Sequence, residues 1–293
     1  MDWSATVRFL APYQFSPVIV AGSLLLVVLY VRGLREARRA GQTVGLGRRI
    51  SFLSGLLLCY AVMHTRLDYY AQYLFFMHRL QHLVLHHAGP FLIALSAPWA
   101  VLGRGLPARL RDRWLRPLWQ HTAVQHVYRF LQHPVIAPIL FVGLIYFWLT
   151  PAIHFDAMLS LPLYHLMNWS MLIDGLLFWW LMLNPKTTGA SVVLGLGLRI
   201  VILFLIMLPQ IALGAYIALS DRDLYDVYDV CGRAWPIDPR TDQQIGGLLT
   251  WIPAAMMSVL GILRVIGLLL RQDRGPGGTG RTDAELAVSQ SGQ

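Results

Sequence analysis

The sequence predicts an all-α fold: a polytopic membrane helical bundle of about seven transmembrane helices, N-terminus outside and C-terminus inside. Three observations carry this. The 293 residues are 56% hydrophobic and only 13% charged, whereas soluble globular domains average ~25% charged. Seven apolar stretches recur, each near the ~20 residues that a hydrocarbon core requires. Arginines gather in alternate connections, which orients the spans. The net charge of +9 is therefore read as a topology signal rather than as a nucleic-acid surface.

The first span is Pro17–Val31. Met1–Ser16 lacks a basic start, and arginines rather than a small-residue cleavage site follow the apolar run, so it reads as a transmembrane helix and not as a cleaved signal. Ile50–His64 is a short second span. Tyr69–Leu102 is too long for a straight one, and Gly89-Pro90 predicts a kink, because proline lacks the N–H its helix needs. Leu106–His133 reads as an amphipathic helix at the cytoplasmic interface, anchored by Trp114, Trp119 and Tyr128. The remaining spans are Pro134–Thr150, Leu163–Leu183, Leu198–Leu219 and Ile245–Leu270. Residues 1–270 thus form one membrane domain, and 271–293, rich in Gly, Ser and Thr, a disordered cytoplasmic tail.

Arg32, Arg35, Arg38, Arg39, Arg48 and Arg49 fill the first connection, and Arg104, Arg109, Arg111, Arg113, Arg116 and Arg129 fill the third. Lys186, Arg271 and Arg274 fall on the same side, which the positive-inside rule makes cytoplasmic. Asp68, Asp156 and the acidic stretch from Asp221 to Asp242 lie opposite. Cys59 and Cys231 make neither a disulfide framework nor a zinc signature.

The third span carries the chemistry. His78, His82 and His86 are spaced i, i+4, i+8, so they line one helix face with a drift of about 40° per step. Ionisable groups at membrane depth are costly and usually face a protein interior where they carry function. His154 follows the fourth span and His165 opens the fifth, both on the outer side, and Met63, Met77, Met158, Met167 and Met171 occupy the same zone. Imidazole with thioether suits copper, Cu(I) above all. His78, His82, His86, His165, His154 and Met77 are the candidate ligands. A lone transmembrane histidine or methionine is more often an interhelical bonder or apolar filler, but two imidazoles one turn apart form a bidentate arm. His86 and His87, just before the expected kink, are balanced between the two readings. His121, His126 and His133 read as solvated-face residues. Arg79 and Asp174, placed at comparable depth on different helices, are expected to form a structural ion pair fixing helix register, in preference to a device that sets imidazole charge. Phosphate loops, nucleophile elbows and metalloprotease signatures are absent, so no enzyme is expected.

Three blocks resemble a known family. FFMHRLQHLVLHHAGPFLIALSAPW has its His-x-x-Gln-His helix, proline break and Ala-Pro. HPVIAPILFVGLIYFWLTPAI with LPLYHLMNWSMLIDGLLFWWLML has its His-Pro entry and Leu-Phe-Trp-Trp exit. LYDVYDVCGRAWPIDPRTDQQIGGLLTWIP carries the most specific string, Asp-Gln-Gln-Ile-Gly-Gly before Trp-x-Pro. Together, over about 50–270, they resemble the CtaG family of integral-membrane assembly factors for caa-type cytochrome c oxidases. The resemblance implies a multi-pass protein of the bacterial plasma (inner) membrane, with oxidase subunits and membrane lipid as partners and respiratory-chain biogenesis as its role. Copper insertion is the usual proposal for that family, which would make the chain a metallochaperone. By position His78 and His82 match the family's paired histidines and His165 the histidine opening its fifth span. The chain departs from the pattern at Leu149 and Trp169, where the family tends to have histidines. A b-type haem electron-transfer protein, with histidines ligating haem across two helices, and a metal-free oxidase scaffold are the alternatives. Homo-oligomerisation is left open.

Overall fold

The computed structural model describes residues 11, 13–184 and 194–273; Lys186 and the tail from Arg274 lie outside them. Among the described residues the regular structure is helical, without strands. Helix α1 spans Pro17–Arg39 and α2 Leu46–His64; α3 is Arg66–Tyr73 and α4 Phe75–His82. After a π-helical turn at Leu83–Ala88 come α5, Gly89–Ser96, and α6, Trp99–Gly105. Short turns lead to α7, Thr122–Leu131, then α8, Ile136–Leu149, α9, Pro151–Leu159, and α10, Leu161–Leu183. Helices α11, Leu196–Leu219, α12, Val227–Cys231, and α13, Pro239–Asp273, complete the order.

Helices α1, α2, α10, α11 and α13 are long and apolar enough to cross a membrane unaided. Two bent pairs raise the number to as many as seven: residues 75–96 with α6, bent by 71°, and α7 with α8, bent by 70°. The result is an all-α polytopic bundle. Residues 108–131 contribute no buried side chain, and Trp114 and Trp119 are exposed.

The third span departs from expectation in three places. It begins at Phe75 rather than Tyr69, because Leu74 is extended (φ −145°, ψ 125°) and separates α3 from α4. It does not break at Gly89-Pro90. The π turn widens the helix just before Pro90 and the helix runs on through it; the His86 carbonyl, four residues back, which Pro90 has no N–H to meet, accepts from Trp179 Nε1 instead. The sharp bend comes instead at Ala97, the one non-glycine residue with positive φ among those described (φ 49°, ψ 59°). The residue before a proline is disfavoured in the right-handed helical region, and Pro98 follows Ala97. A left-handed alanine costs about 1–2 kcal/mol.

The histidine-bearing span is the centre of the bundle. Helix α4 packs on α13, α5 on α2 and α10, and the π turn on α10. Its entrance is fixed from α13: the Asp242 carboxylate accepts from the backbone N–H of Phe75 (3.1 Å) and of Phe76 (2.8 Å) and pairs with Arg233. These first-turn donors have no partner within their own helix. Asp242→Ala is expected to cost about 2 kcal/mol through loss of a charged cap, read as a lower thermal midpoint in detergent. An unchanged midpoint would show that the two amides are satisfied without it.

Candidate functional site

His78 and His82 sit one turn apart on α4 with ring centroids 4.2 Å from each other, and His154, from α9, brings its ring centroid to 5.1 Å from that of His78. All three are buried. Their hydrogen bonds differ in a way that matters. His154 Nδ1–H donates to the Trp148 carbonyl at 3.1 Å, which leaves Nε2 with its lone pair toward the Tyr228 hydroxyl at 3.0 Å. His82 Nδ1 accepts from Arg79 Nη1 at 3.3 Å, so its proton resides on Nε2 and is given to Asn168 Oδ1 at 3.1 Å. Neither ring nitrogen of His78 has a partner. An unmade bond at a buried polar group costs about 1–3 kcal/mol, a cost that His78 shares with His64, whose two ring nitrogens are also without partners; of the two, His78 is the one with other imidazoles beside it.

Burial pushes the His154 imidazole down to about 3 and pushes the Tyr228 hydroxyl well up. At neutral pH the histidine is therefore uncharged and the tyrosine keeps its proton. That pairing holds one imidazole lone pair beside His78 with only a hydroxyl to displace.

Deeper in the bundle His86 Nε2–H donates to Asp174 Oδ2 at 2.9 Å, and its Nδ1 lacks a partner. The His86 ring stacks on Phe141 at 4.0 Å, and Trp179 Nε1–H bonds to the His86 carbonyl at 3.2 Å. The expected Arg79–Asp174 pair does not form: among the described residues no carboxylate lies within 4.0 Å of Arg79. Arg79 and His86 are seven residues apart, about 10 Å along a helix. Asp174 meets the lower of the two positions, and His86 takes the partner assigned to Arg79. The guanidinium bonds instead to Thr250 Oγ1, at 2.9 Å from Nε, and to His82. Arg79, His82, His86, His87, Met171 and Thr250 all line one internal cavity of about 10 Å³.

The rest of the His-x-x-Gln-His string is structural. Gln81 Nε2 donates to the Val62 carbonyl (2.8 Å) and to Asp68 Oδ1 (2.9 Å), while the Tyr164 hydroxyl lies 2.7 Å from that same oxygen and 3.0 Å from Gln81 Oε1. Burial raises the Asp68 carboxyl, and these donors oppose the rise. The network ties α2, α3, α4 and α10 together at the end of the bundle where His78 and His154 meet.

Of the sequence-chosen ligands, the structure gathers His78, His82 and His154 and places His86 one turn deeper. His165 is exposed, since Tyr164 beside it faces inward and adjacent helical residues point about 100° apart. Met77 is buried, but its step of one residue from His78 turns it away by the same angle. Met171 is the thioether that lines the histidine cavity. Trp169 is partly exposed at 37%, and Leu149 is buried in the cluster that holds Tyr228. No set of three or more His, Cys, Asp or Glu side chains forms a metal cage among the described residues. Sequence reasoning missed Tyr228, Asn168 and Thr250, whose partners lie 74 or more residues away; such contacts leave no periodic trace.

The chain is 28% identical to an uncharacterized protein of Mycobacterium leprae over 276 residues, and 27% identical to uncharacterized proteins of Mycobacterium bovis and Mycobacterium tuberculosis over 279. Each alignment covers 91% of this chain and 40–41% of the relative, so the chain spans about two fifths of the length of the curated relatives it matches. No solved structure matches it significantly. Residues 28–272 match the family described as cytochrome c oxidase caa3 assembly factor (Caa3_CtaG).

Proposed function

This chain belongs to the cytochrome c oxidase caa3 assembly factor family, and from that premise we propose that it aids copper delivery to a haem–copper oxidase in the bacterial plasma membrane. Its cargo is Cu(I), held in passing by His78 with His154 or His82, on the side that arginine placement makes external. It works on oxidase subunits and catalyses no reaction of its own.

The observation that supports this reading is His78: a fully buried imidazole with both nitrogens unpartnered, flanked by two neutral imidazoles. Imidazole is a ligand that late first-row ions favour. Delivery needs incomplete, exchangeable coordination, and this cluster has that character: one free ring, one ring released by displacing a tyrosine hydroxyl, and one tied at both ends. The haem alternative fares worse. The cavity beside His82 is about 10 Å³, whereas cofactor pockets run to about 300–1,000 Å³.

The test is metal analysis with an optical spectrum on detergent-purified protein, wild type beside His78→Ala. Near-stoichiometric copper in the wild type, lost from the variant and without a Soret band, is expected. A Soret band would move the assignment to haem, and absence of copper from both proteins would leave a metal-free scaffold.

A further inference from the structure

The cavity at Arg79 has the wrong sign for a second copper position and the right one for an anion. A guanidinium carries its charge at every accessible pH, and Arg79 is buried at 5% exposure in the middle of the bundle. A charge so placed is costly unless a counter-charge accompanies it. Its two described partners, the Thr250 hydroxyl and the His82 ring, are both neutral. Among the described residues no carboxylate lies within 4.0 Å of it: Asp174 bonds to His86, and Asp242 to Arg233 and the Phe75 and Phe76 amides. Among the described residues, therefore, no carboxylate touches the guanidinium to neutralise it.

The same guanidinium opens onto the cavity of about 10 Å³, whose wall also includes His86, His87 and Leu249. That volume corresponds to roughly one water-sized guest. It excludes a carboxylate-bearing metabolite or a phosphate. A halide has about twice the volume of water, so it enters only as the flexible Arg79 and Leu249 side chains that border the space swing outward.

The geometry points to a single buried site for a small inorganic monoanion, chloride in the first instance, held by Arg79 in the cavity between α4, the π turn, α10 and α13. The anion neutralises the guanidinium that otherwise stands beside His82. It also competes with His82 for the Arg79 Nη1 donor, and so loosens one of the two bonds that tie that ring. The site does not require that copper be the cargo.

The test uses the full chain in detergent at constant ionic strength, with gluconate, too bulky for the cavity, as the background anion. Radiolabelled chloride is expected to bind stoichiometrically and saturably, to be displaced by bromide, and to raise the thermal midpoint. Arg79→Met is expected to abolish that binding. Ala254→Val guards against loss of fold in the first variant: it fills the cavity wall and leaves the guanidinium in place, and it too is expected to abolish binding. Absence of saturable chloride binding in the wild type would overturn the site and leave water as its occupant. Binding that survives both substitutions would overturn it as well, by placing the anion elsewhere.

Discussion

His78→Ala is expected to remove most copper-dependent oxidase activity from cells in which this chain is the sole factor of its kind, by about tenfold or more, the scale on which disturbed metal sites lose function. The reason is positional. Of the three clustered imidazoles, His78 alone has both ring nitrogens without a hydrogen-bond partner, so it alone can offer its lone pair to a metal without first breaking a bond. His154→Ala is expected to have a smaller effect of the same kind. His165→Ala is expected to be silent, because that ring is exposed and apart from the cluster. Added copper should partly restore His78→Ala and should not restore a misfolded protein. Oxidase activity unaltered in His78→Ala would sink the copper assignment while leaving a scaffold role standing.

The second large effect is expected at Gly175 on α10. A Cβ there would stand 2.5 Å from the His86 carbonyl oxygen and 3.0 Å from the His86 Cα. Both are backbone atoms, so no rotamer change relieves the overlap. Gly175→Ala must separate α10 from the π turn, and such overpacking costs about 1–3 kcal/mol. Along the same seam run the Trp179 bond to the His86 carbonyl and the His86–Asp174 contact, so the displacement reaches the histidine cavity. The expected outcome is a lower thermal midpoint and reduced copper retention together. A variant with wild-type midpoint would show that the two helices are not held at this distance.

The bundle was legible from composition and the lengths of the apolar stretches because bilayer thickness leaves few alternatives for long apolar segments. His78 and His82 were legible because helical spacing puts them on one face. His154 was reachable only through topology, as a residue just past a span. The Arg79–Asp174 pair was misjudged because sequence gives depth to within a turn or two and rotation about the helix hardly at all. Asp242 illustrates a further limit. The Asp-Gln-Gln-Ile-Gly-Gly string marks the family strongly, yet nothing in it announces that its aspartate caps a helix 167 residues earlier. Its glutamine, Gln243, is likewise spent on the Leu224 amide and the Ile217 and Arg222 carbonyls, and Gly246 makes room for the Phe75 ring. The most specific motif in the chain is thus scaffold.

The π turn at Leu83–Ala88 has a consequence for how this sequence can vary. Such a turn amounts to a single added residue within an otherwise continuous helix. Striking one residue from it would restore ordinary winding and leave the helix beyond it in its present phase, because the wide turn has absorbed that residue. Phe91 and Ala94 would keep their places in the core shared with α10, as His78 and His82 would keep theirs. Only the turn itself would be rewound, so the length of this short segment sets how His86 and His87 face the cavity rather than how the two halves of the span pack.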